Sequence, residues 1–276
     1  MRLSSSGMDT LLSCGRKYQH TYIDKLTGEQ PDDTALNFGS AWHKIRANRV
    51  LGAPIEEVLD TYPDMPEKEY RTKDRLRVAD RLYTERWPVP YRVRDWQGKP
   101  AVEVEYRIHI GPDDQTGIID LWADADTNEG EGWLPWVIDY KSTSYLTGSW
   151  VEYYRTSNQF RAYFTAAGVM KMEAVGVLVD VFHVTPGVKK GKDEAERNGC
   201  HFYRLPIKYT QLAVEEWYKN FLTSITLAEM YAETGYYPQR APAACNEYNR
   251  PCAFLDICNT FDEETRRKLR GLTNQP

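Results

Sequence analysis

The feature that most constrains this chain is the segment Trp136-Val137-Ile138-Asp139-Tyr140-Lys141, where an apolar run ends on an acid and a base two positions apart. Side chains alternate along a strand, so Asp139 and Lys141 project from one face while Ile138 and Tyr140 pack on the other. Taking such a pair out of water costs on the order of several kcal/mol, so a strand end that holds both points to a further ion or substrate. A second carboxylate is available in Gly117-Ile118-Ile119-Asp120. The interval to Asp139 fits one strand, a turn through Thr127-Asn128-Glu129-Gly130 and the next strand, which lets both acids converge at neighbouring strand ends. Oxygen ligands suit Mg²⁺ or Mn²⁺, and a lysine beside them positions or deprotonates an attacking water. That is a constellation for phosphodiester hydrolysis. For these three residues alone, a cross-strand ion pair plus a turn aspartate reads equally well.

The bulk properties narrow the setting. At 276 residues the chain can form one large domain or two small ones. Its 41% hydrophobic and 27% charged content is ordinary for a soluble globular protein, and no apolar run approaches the ~20 residues that span a bilayer. No membrane association is expected. The start, Met1-Arg2-Leu3-Ser4-Ser5-Ser6, lacks the apolar core of a secretory signal, so a reducing cytoplasm without disulfides is the expected compartment. A net charge of −5 argues against coating nucleic acid indiscriminately, so any such site must be a local patch. Arg71, Lys73, Arg75, Arg77, Arg81, Arg86, Arg92 and Arg94 form one candidate, and Lys189-Lys190-Gly191-Lys192 another. Each also reads as a solvated face laced with ion pairs.

Patterning predicts helices over about 8–18, capped by Ser6, over 38–51, ending at Gly52, and over 72–87, stopped by Pro88. Alternation from Val102 to Ile110 predicts a half-buried strand, followed by strands near 115–125 and 133–141. A helix over 150–167, a buried strand over 174–184, a hairpin-like segment around 201–207 and a long helix over 209–233 follow. The expected fold is α/β: a mixed central sheet flanked by helices in one domain spanning 1–276, with the terminal segments docked together.

Several other residues carry chemistry. His43 shares a helix face with Gly39, and a neutral imidazole can complete an otherwise all-oxygen metal site, although a lone helix histidine is also an ordinary core or surface residue. Gln159 and Tyr163, four apart, present an amide and a phenol that can orient a phosphate or the lysine. Glu105, on the strand neighbouring that of Asp120, is a weaker candidate for the metal shell, and Glu103 on the same face can take that part instead. Cys245, Cys252 and Cys258 lie in the turn-rich tail with spacing Cys-x6-Cys-x5-Cys, and Cys14 lies near the other terminus. Four thiolates suit tetrahedral zinc or an iron–sulfur cluster, the larger cluster tolerating the looser spacing, while four unrelated buried cysteines remain the plain alternative. A shared cluster would close nearly the whole chain into a loop, a constraint of roughly 5 kcal/mol against the unfolded state. Cys200 is the odd one out and is expected to pack.

In their order along the chain these pieces resemble the RecB-like branch of the PD-(D/E)xK nuclease superfamily, specifically members with a four-cysteine iron–sulfur cluster. The resemblance runs from Ser4-Ser5-Ser6 to Cys14-Gly15-Arg16-Lys17-Tyr18, then through Gly39-x3-His43, Gly117-Ile118-Ile119-Asp120, Asp139-Tyr140-Lys141 and Gln159-x3-Tyr163, and closes with Cys245, Cys252 and Cys258. It implies a restriction-endonuclease-like sheet, with 1–36 and 236–276 forming a subdomain around a 4Fe-4S cluster held by the four cysteines. It implies that His43, Asp120 and Asp139, with the main-chain carbonyl of Tyr140, bind Mg²⁺ or Mn²⁺. Lys141 would activate or position the water, and Gln159 and Tyr163 would support the site and the DNA backbone. The Cys245-to-Cys252 gap is longer than in the CRISPR-adaptation nucleases of this branch, which favours a stand-alone, phage-type enzyme.

The resulting expectation is a metal-dependent DNA exonuclease of recombination, repair or phage DNA processing, with DNA as partner and recombination or replication proteins as candidate partners. Two other readings stay open at this stage: a non-catalytic iron–sulfur protein that binds DNA or senses redox state, and a zinc-stapled interaction domain.

Overall fold

The alternation in the middle of the chain does produce strands. In the computed structural model, which describes residues 2–26, 34–65, 69–127, 130–239, 242–247, 250–260 and 264, three consecutive strands run Val102–Ile110 (β1), Asp113–Asp126 (β2) and Trp133–Thr143 (β3). Asn128 and Glu129, in the turn expected between β2 and β3, lie outside the described residues. Two further strands, Val177–Val184 (β4) and Cys200–Ile207 (β5), complete the order β2-β3-β4-β5. β3 and β4 are parallel while β2/β3 and β4/β5 are antiparallel, so the sheet is mixed, as expected.

The chain divides into two compact units: residues 1–32, 108–116 and 215–276 form one, and 33–107 with 117–214 the other. The cysteine-bearing unit is therefore larger than the expected 1–36 plus 236–276. The short strand Arg2–Ser4 pairs in parallel with Asp114–Thr116, which draws the beginning of β2 into that unit.

In the second unit, helix Thr34–Leu51 (α2; α1 is Ser5–Ser13) lays Phe38, Ala41, Trp42 and Ile45 against the sheet at i, i+3, i+4, i+7 spacing. It starts four residues earlier than the pattern predicts. Helix Lys73–Arg86 (α3) adds Leu76, Ala79 and Tyr83 to the same core, which meets the even-numbered side chains Trp136, Ile138 and Tyr140 of β3. Each large apolar side chain buried here contributes roughly 1.5–3 kcal/mol. The helix expected over 150–167 is two helices, Gly148–Arg155 (α4) and Asn158–Val169 (α5). Ser157 between them is extended (ψ 127°), which ends one helical path and starts another.

One polar cluster sits inside this core. Asp180, fully buried in the otherwise apolar β4, lies in register beside Tyr140. Its Oδ2 accepts hydrogen bonds from the hydroxyls of Tyr83 (2.5 Å) and Tyr91, with Arg204 Nε at 3.8 Å. Burial raises its pKa, and the Arg204 charge and the two phenols oppose that. Asp80 is similarly buried between Arg46 (3.1 Å) and Arg49 (2.5 Å).

In the first unit the opening serine cap is Ser4 rather than Ser6: its extended backbone (φ −82°, ψ 164°) lets Oγ accept from Gly7 N at 3.1 Å, and α1 begins at Ser5. The helix breaks at Cys14, whose Sγ then caps Gly15–Tyr18 by accepting from Lys17 N at 3.4 Å. Gly15 is required there, since a Cβ would come within 2.9 Å of the Tyr231 ring and 3.0 Å of Pro238. The long helix Gln211–Thr234 (α6) lies mostly in this unit. Leu26, Phe254 and Ile257 form a small apolar cluster with Cys252 packed against it. Among the described residues no helix is long and apolar enough to cross a membrane.

The Asp180 cluster yields a stability prediction. Asp180→Ala leaves two buried phenols without their acceptor and the Arg204 charge without its counter-ion, and should cost about 3–5 kcal/mol, lowering the melting temperature by about 10 °C. Asp180→Asn, which keeps an acceptor oxygen, should lose less than half as much by thermal denaturation.

Candidate active site

The register of β2 against β3 creates the site. Its last pair is Leu121 with Ile138, and the next step along the register sets Asp120 opposite Asp139. The ladder does not continue there. The Tyr140 amide instead donates to Asp120 Oδ2 at 3.0 Å, so a carboxylate takes the place of a neighbouring strand. Tyr140 contributes this amide while its ring lies in the core, with the imidazole of His43 tilted edge-on to it at 6.1 Å.

His43 reaches the acids from α2, placing Nδ1 3.0 Å from Asp120 Oδ2. Close approach at Gly39 permits this: a Cβ there would lie 3.0 Å from Ser142 Oγ on β3. Burial tends to lower the His43 pKa, but the hydrogen bond and charge of Asp120, with a smaller contribution from Asp139, leave it raised. For Asp120 burial tends to raise the pKa, and His43, Lys141 and the Tyr140 amide together leave it lowered.

Asp139 is 1% exposed, and neither of its oxygens accepts an aligned hydrogen bond from the protein. Lys141 Nζ stands 2.6 Å from Oδ2, an ion-pair distance without hydrogen-bond alignment. Burial first, and Asp120 after it, outweigh Lys141 and push the Asp139 carboxyl up to about 6. The Lys141 ammonium also lies over the ring of Phe160 at 5.7 Å. Gln159 Nε2 donates to Tyr163 Oη at 2.6 Å. Burial, then the charges of Asp139 and Asp120, raise the Tyr163 pKa and keep the phenol protonated beside the acids.

The structure thus gathers His43, Asp120, Asp139, Lys141, Gln159 and Tyr163 in one unit. A groove of about 480 Å³ opens onto it, lined by Gly39, Ser40, His43, Glu103, Lys141 and Ser142. Glu103 is in that lining and Glu105 is not. Sequence alternation puts the two on one face and both are exposed, and Glu103 adopts φ +48°, a left-handed conformation costing a glutamate about 1–2 kcal/mol. Phe160 and Ser142 are the neighbours that sequence reasoning missed. Phe160 follows Gln159 directly, and nothing in its apolar character marks it as a platform for a lysine.

The first basic patch is partly neutralised: Arg71 pairs with Glu69, Lys73 with Asp64, Arg77 with Asp74, and Arg81 with Glu85 and Glu194. The sheet acids, rather than this run, mark the candidate site.

The sequence profile of the PD-(D/E)XK nuclease superfamily matches residues 2–259. The chain belongs to that superfamily. A solved structure of a protein from Eubacterium rectale, described as a candidate exonuclease, superposes with a TM-score of 0.53 at 12% identity, covering 94% of this chain and 93% of the other. At that identity the likeness establishes the fold. A second structure, of SSO0001, gives a TM-score of 0.41 at 13% identity over 93% of this chain and 85% of that one. No curated protein matches by sequence.

Members of this superfamily are nucleases that typically use divalent metals. The donor set fits a hard cation: two buried, unbonded oxygens of Asp139 lie within electrostatic reach of the Asp120 carboxylate. Among the described residues, however, no three His, Cys, Asp or Glu side chains stand close enough together to hold a metal ion as they are. The same holds for the cysteines. All five thiols are free. Cys258 is raised by burial, with the charges of Cys252, Cys14 and Cys245 adding to it, so these four lie within electrostatic reach of one another. Cys258 Sγ is 3.9 Å from His20 Nε2. Cys200 is fully buried in the other unit, its thiol pushed up to about 11.

A pH dependence follows for this nuclease-family site. Asp139 holds its proton to about pH 6 when folded, against 3.8 ordinarily, so the folded state loses stability as pH rises between those values. The raised pKa of His43 acts in the same direction, its stabilisation being present below 6.5 and lost as pH rises through the folded-state pKa. Asn mimics the protonated acid. In chelator, Asp139→Asn should stabilise the protein by about 3 kcal/mol at neutral pH, raising the melting temperature by about 6–12 °C, with no gain near pH 4. An unchanged melting temperature at neutral pH would show that Asp139 is not held against its desolvation.

Proposed function

We propose that this chain is a DNA exonuclease dependent on Mg²⁺ or Mn²⁺, acting in recombination, repair or phage DNA processing. The observation that carries the reading is a carboxylate kept out of water without hydrogen bonds, next to a second acid, a histidine and a lysine. In this reading Asp120, Asp139 and His43 hold the cation, with Tyr140 beside them. Glu103, rather than Glu105, supplies any further carboxylate. When bound, the cation supplies Lewis-acid polarisation of the scissile phosphate.

The chain's own groups do the rest. Lys141, held by Asp139 and by the Phe160 ring, donates to the oxygen of the attacking water and fixes its approach in line with the scissile bond. Tyr163 retains its proton and donates to a phosphate oxygen, while Gln159 orients the phenol. Cys14, Cys245, Cys252 and Cys258 hold a 4Fe-4S cluster that fastens the first unit, where their mutual repulsion as thiolates is relieved by iron. The exonuclease description of the Eubacterium rectale protein agrees with this reading and belongs to that protein.

Three measurements test it. Anaerobically purified protein with Mn²⁺ and DNA labelled at either end should release nucleotides from an end and leave covalently closed circles intact. Lys141→Ala should lose on the order of 10²–10⁴-fold in rate while binding DNA normally. Cleavage near the wild-type rate in that variant would remove the assigned role. Brown protein that bleaches when Cys252 becomes Ala is expected for the cluster, and a colourless zinc protein would contradict it.

A further inference from the structure

A second groove in the same unit carries positive charge. Arg155 ends α4, Arg161 lies near the start of α5, and Lys208, Tyr209 and Thr210 link β5 to α6; together they line a cavity of about 420 Å³. Two of these cations have acidic partners. Lys208 Nζ meets Glu131 at 2.7 Å and Arg155 Nε meets Glu152 at 3.6 Å, both exposed pairs of the kind worth ~0–1 kcal/mol, which an incoming anion can displace. Arg161 differs. It has no carboxylate partner among the described residues, and its Nε is buried without a hydrogen-bond acceptor. Thr210 caps the 24-residue α6 by accepting from Ala213 N at 3.3 Å, and Ala213 also lines the cavity, so the positive end of that helix adds to the field.

This cavity is joined to the lysine of the candidate active site by a short series of contacts. Tyr209 Oη donates to the Tyr154 carbonyl at 3.3 Å. The Tyr154 ring stacks on Phe160 at 5.2 Å and 22°, and Phe160 lies under Lys141. The two places thus share one connected set of side chains.

Resting on the nuclease reading above, we propose that the cavity formed by Arg155, Arg161 and Lys208 binds a phosphate of the same DNA strand that is cut at Lys141. A guanidinium fork matches the paired oxygens of a phosphate, and one held there would brace the strand away from the scissile bond. The phosphate is either an internal diester or a terminal monoester, and the two are separable by experiment.

Binding of the full-length protein to short single-stranded oligonucleotides, 5′-phosphorylated or 5′-hydroxyl, would be followed by fluorescence anisotropy in chelator across a salt series. Arg161→Gln should weaken binding about 5–10-fold and reduce the slope of log K against log salt by about 0.7, the contribution of one single-strand phosphate contact. Arg155→Gln, at the exposed end of α4, should act in the same direction and serves if Arg161→Gln folds poorly. Lys99→Gln, in an exposed hairpin, should leave affinity and slope unchanged. Equal loss with both oligonucleotides identifies an internal phosphate, and loss confined to the phosphorylated one identifies a terminal phosphate. Arginine variants that match wild type in affinity and slope, while wild type binds and cleaves DNA, would overturn the cavity assignment alone. Wild type that binds no DNA would overturn the nuclease reading with it.

Discussion

Everything at the candidate site depends on the cost of keeping the Asp139 carboxylate dry. An ionised carboxylate in that position lacks the hydrogen bonds that normally compensate burial, and Lys141 at 2.6 Å offsets only part of the penalty, since the carboxyl still titrates near 6. The neighbouring Asp120 makes matters worse for Asp139 by repulsion. Such an imbalance is what a positive charge from outside the chain would complete.

The surroundings are built to hold this imbalance in place. On one face of β3, Ile138 and Tyr140 are fixed in a core shared with Trp42, Tyr83 and Phe182, where Trp42 and Phe182 approach to 4.8 Å. Beneath it Asp180 accepts from two phenols at Oδ2 while its Oδ1 has no partner, whereas neither oxygen of Asp139, one position earlier in the paired strand, accepts an aligned hydrogen bond. Two buried aspartates on adjacent parallel strands thus differ in degree: one oxygen of Asp180 is bonded by the protein, and neither of Asp139 is. On the opposite face, α5 brings the Gln159–Tyr163 pair toward the acids, which it can do because the chain turns at Ser157 between two helices.

Much of this is legible in the residues. Alternation in β3 puts Asp139 and Lys141 on a common face, the single acid pattern in Gly117-Ile118-Ile119-Asp120 marks the neighbouring strand end, and Gly39 four residues before His43 marks a close helix approach. The less legible parts have identifiable causes. Glu103 and Glu105 are equivalent by period, and only their distance from the groove separates them. Asp180 in Val177–Val184 is an obvious buried charge in an apolar run, yet its partners Tyr83, Tyr91 and Arg204 come from distant segments that no local pattern connects. The basic run between Arg71 and Arg94 looks like a nucleic-acid patch until Glu69, Asp64, Asp74, Glu85 and Glu194 are seen beside it.

By itself the sequence determined the identity and order of the strands, the face on which the acid and base of β3 emerge, and the kinds of side chain available for metal and cysteine chemistry, because these follow from local period and residue type. Tertiary structure alone decided that the β2/β3 ladder stops after Leu121 and Ile138, so that Asp120 takes the Tyr140 amide and faces Asp139, and that Arg161 is left without an acid partner among the described residues. Both depend on which groups distant segments bring together and which they leave unpaired, and charge compensation across space has no period along a chain.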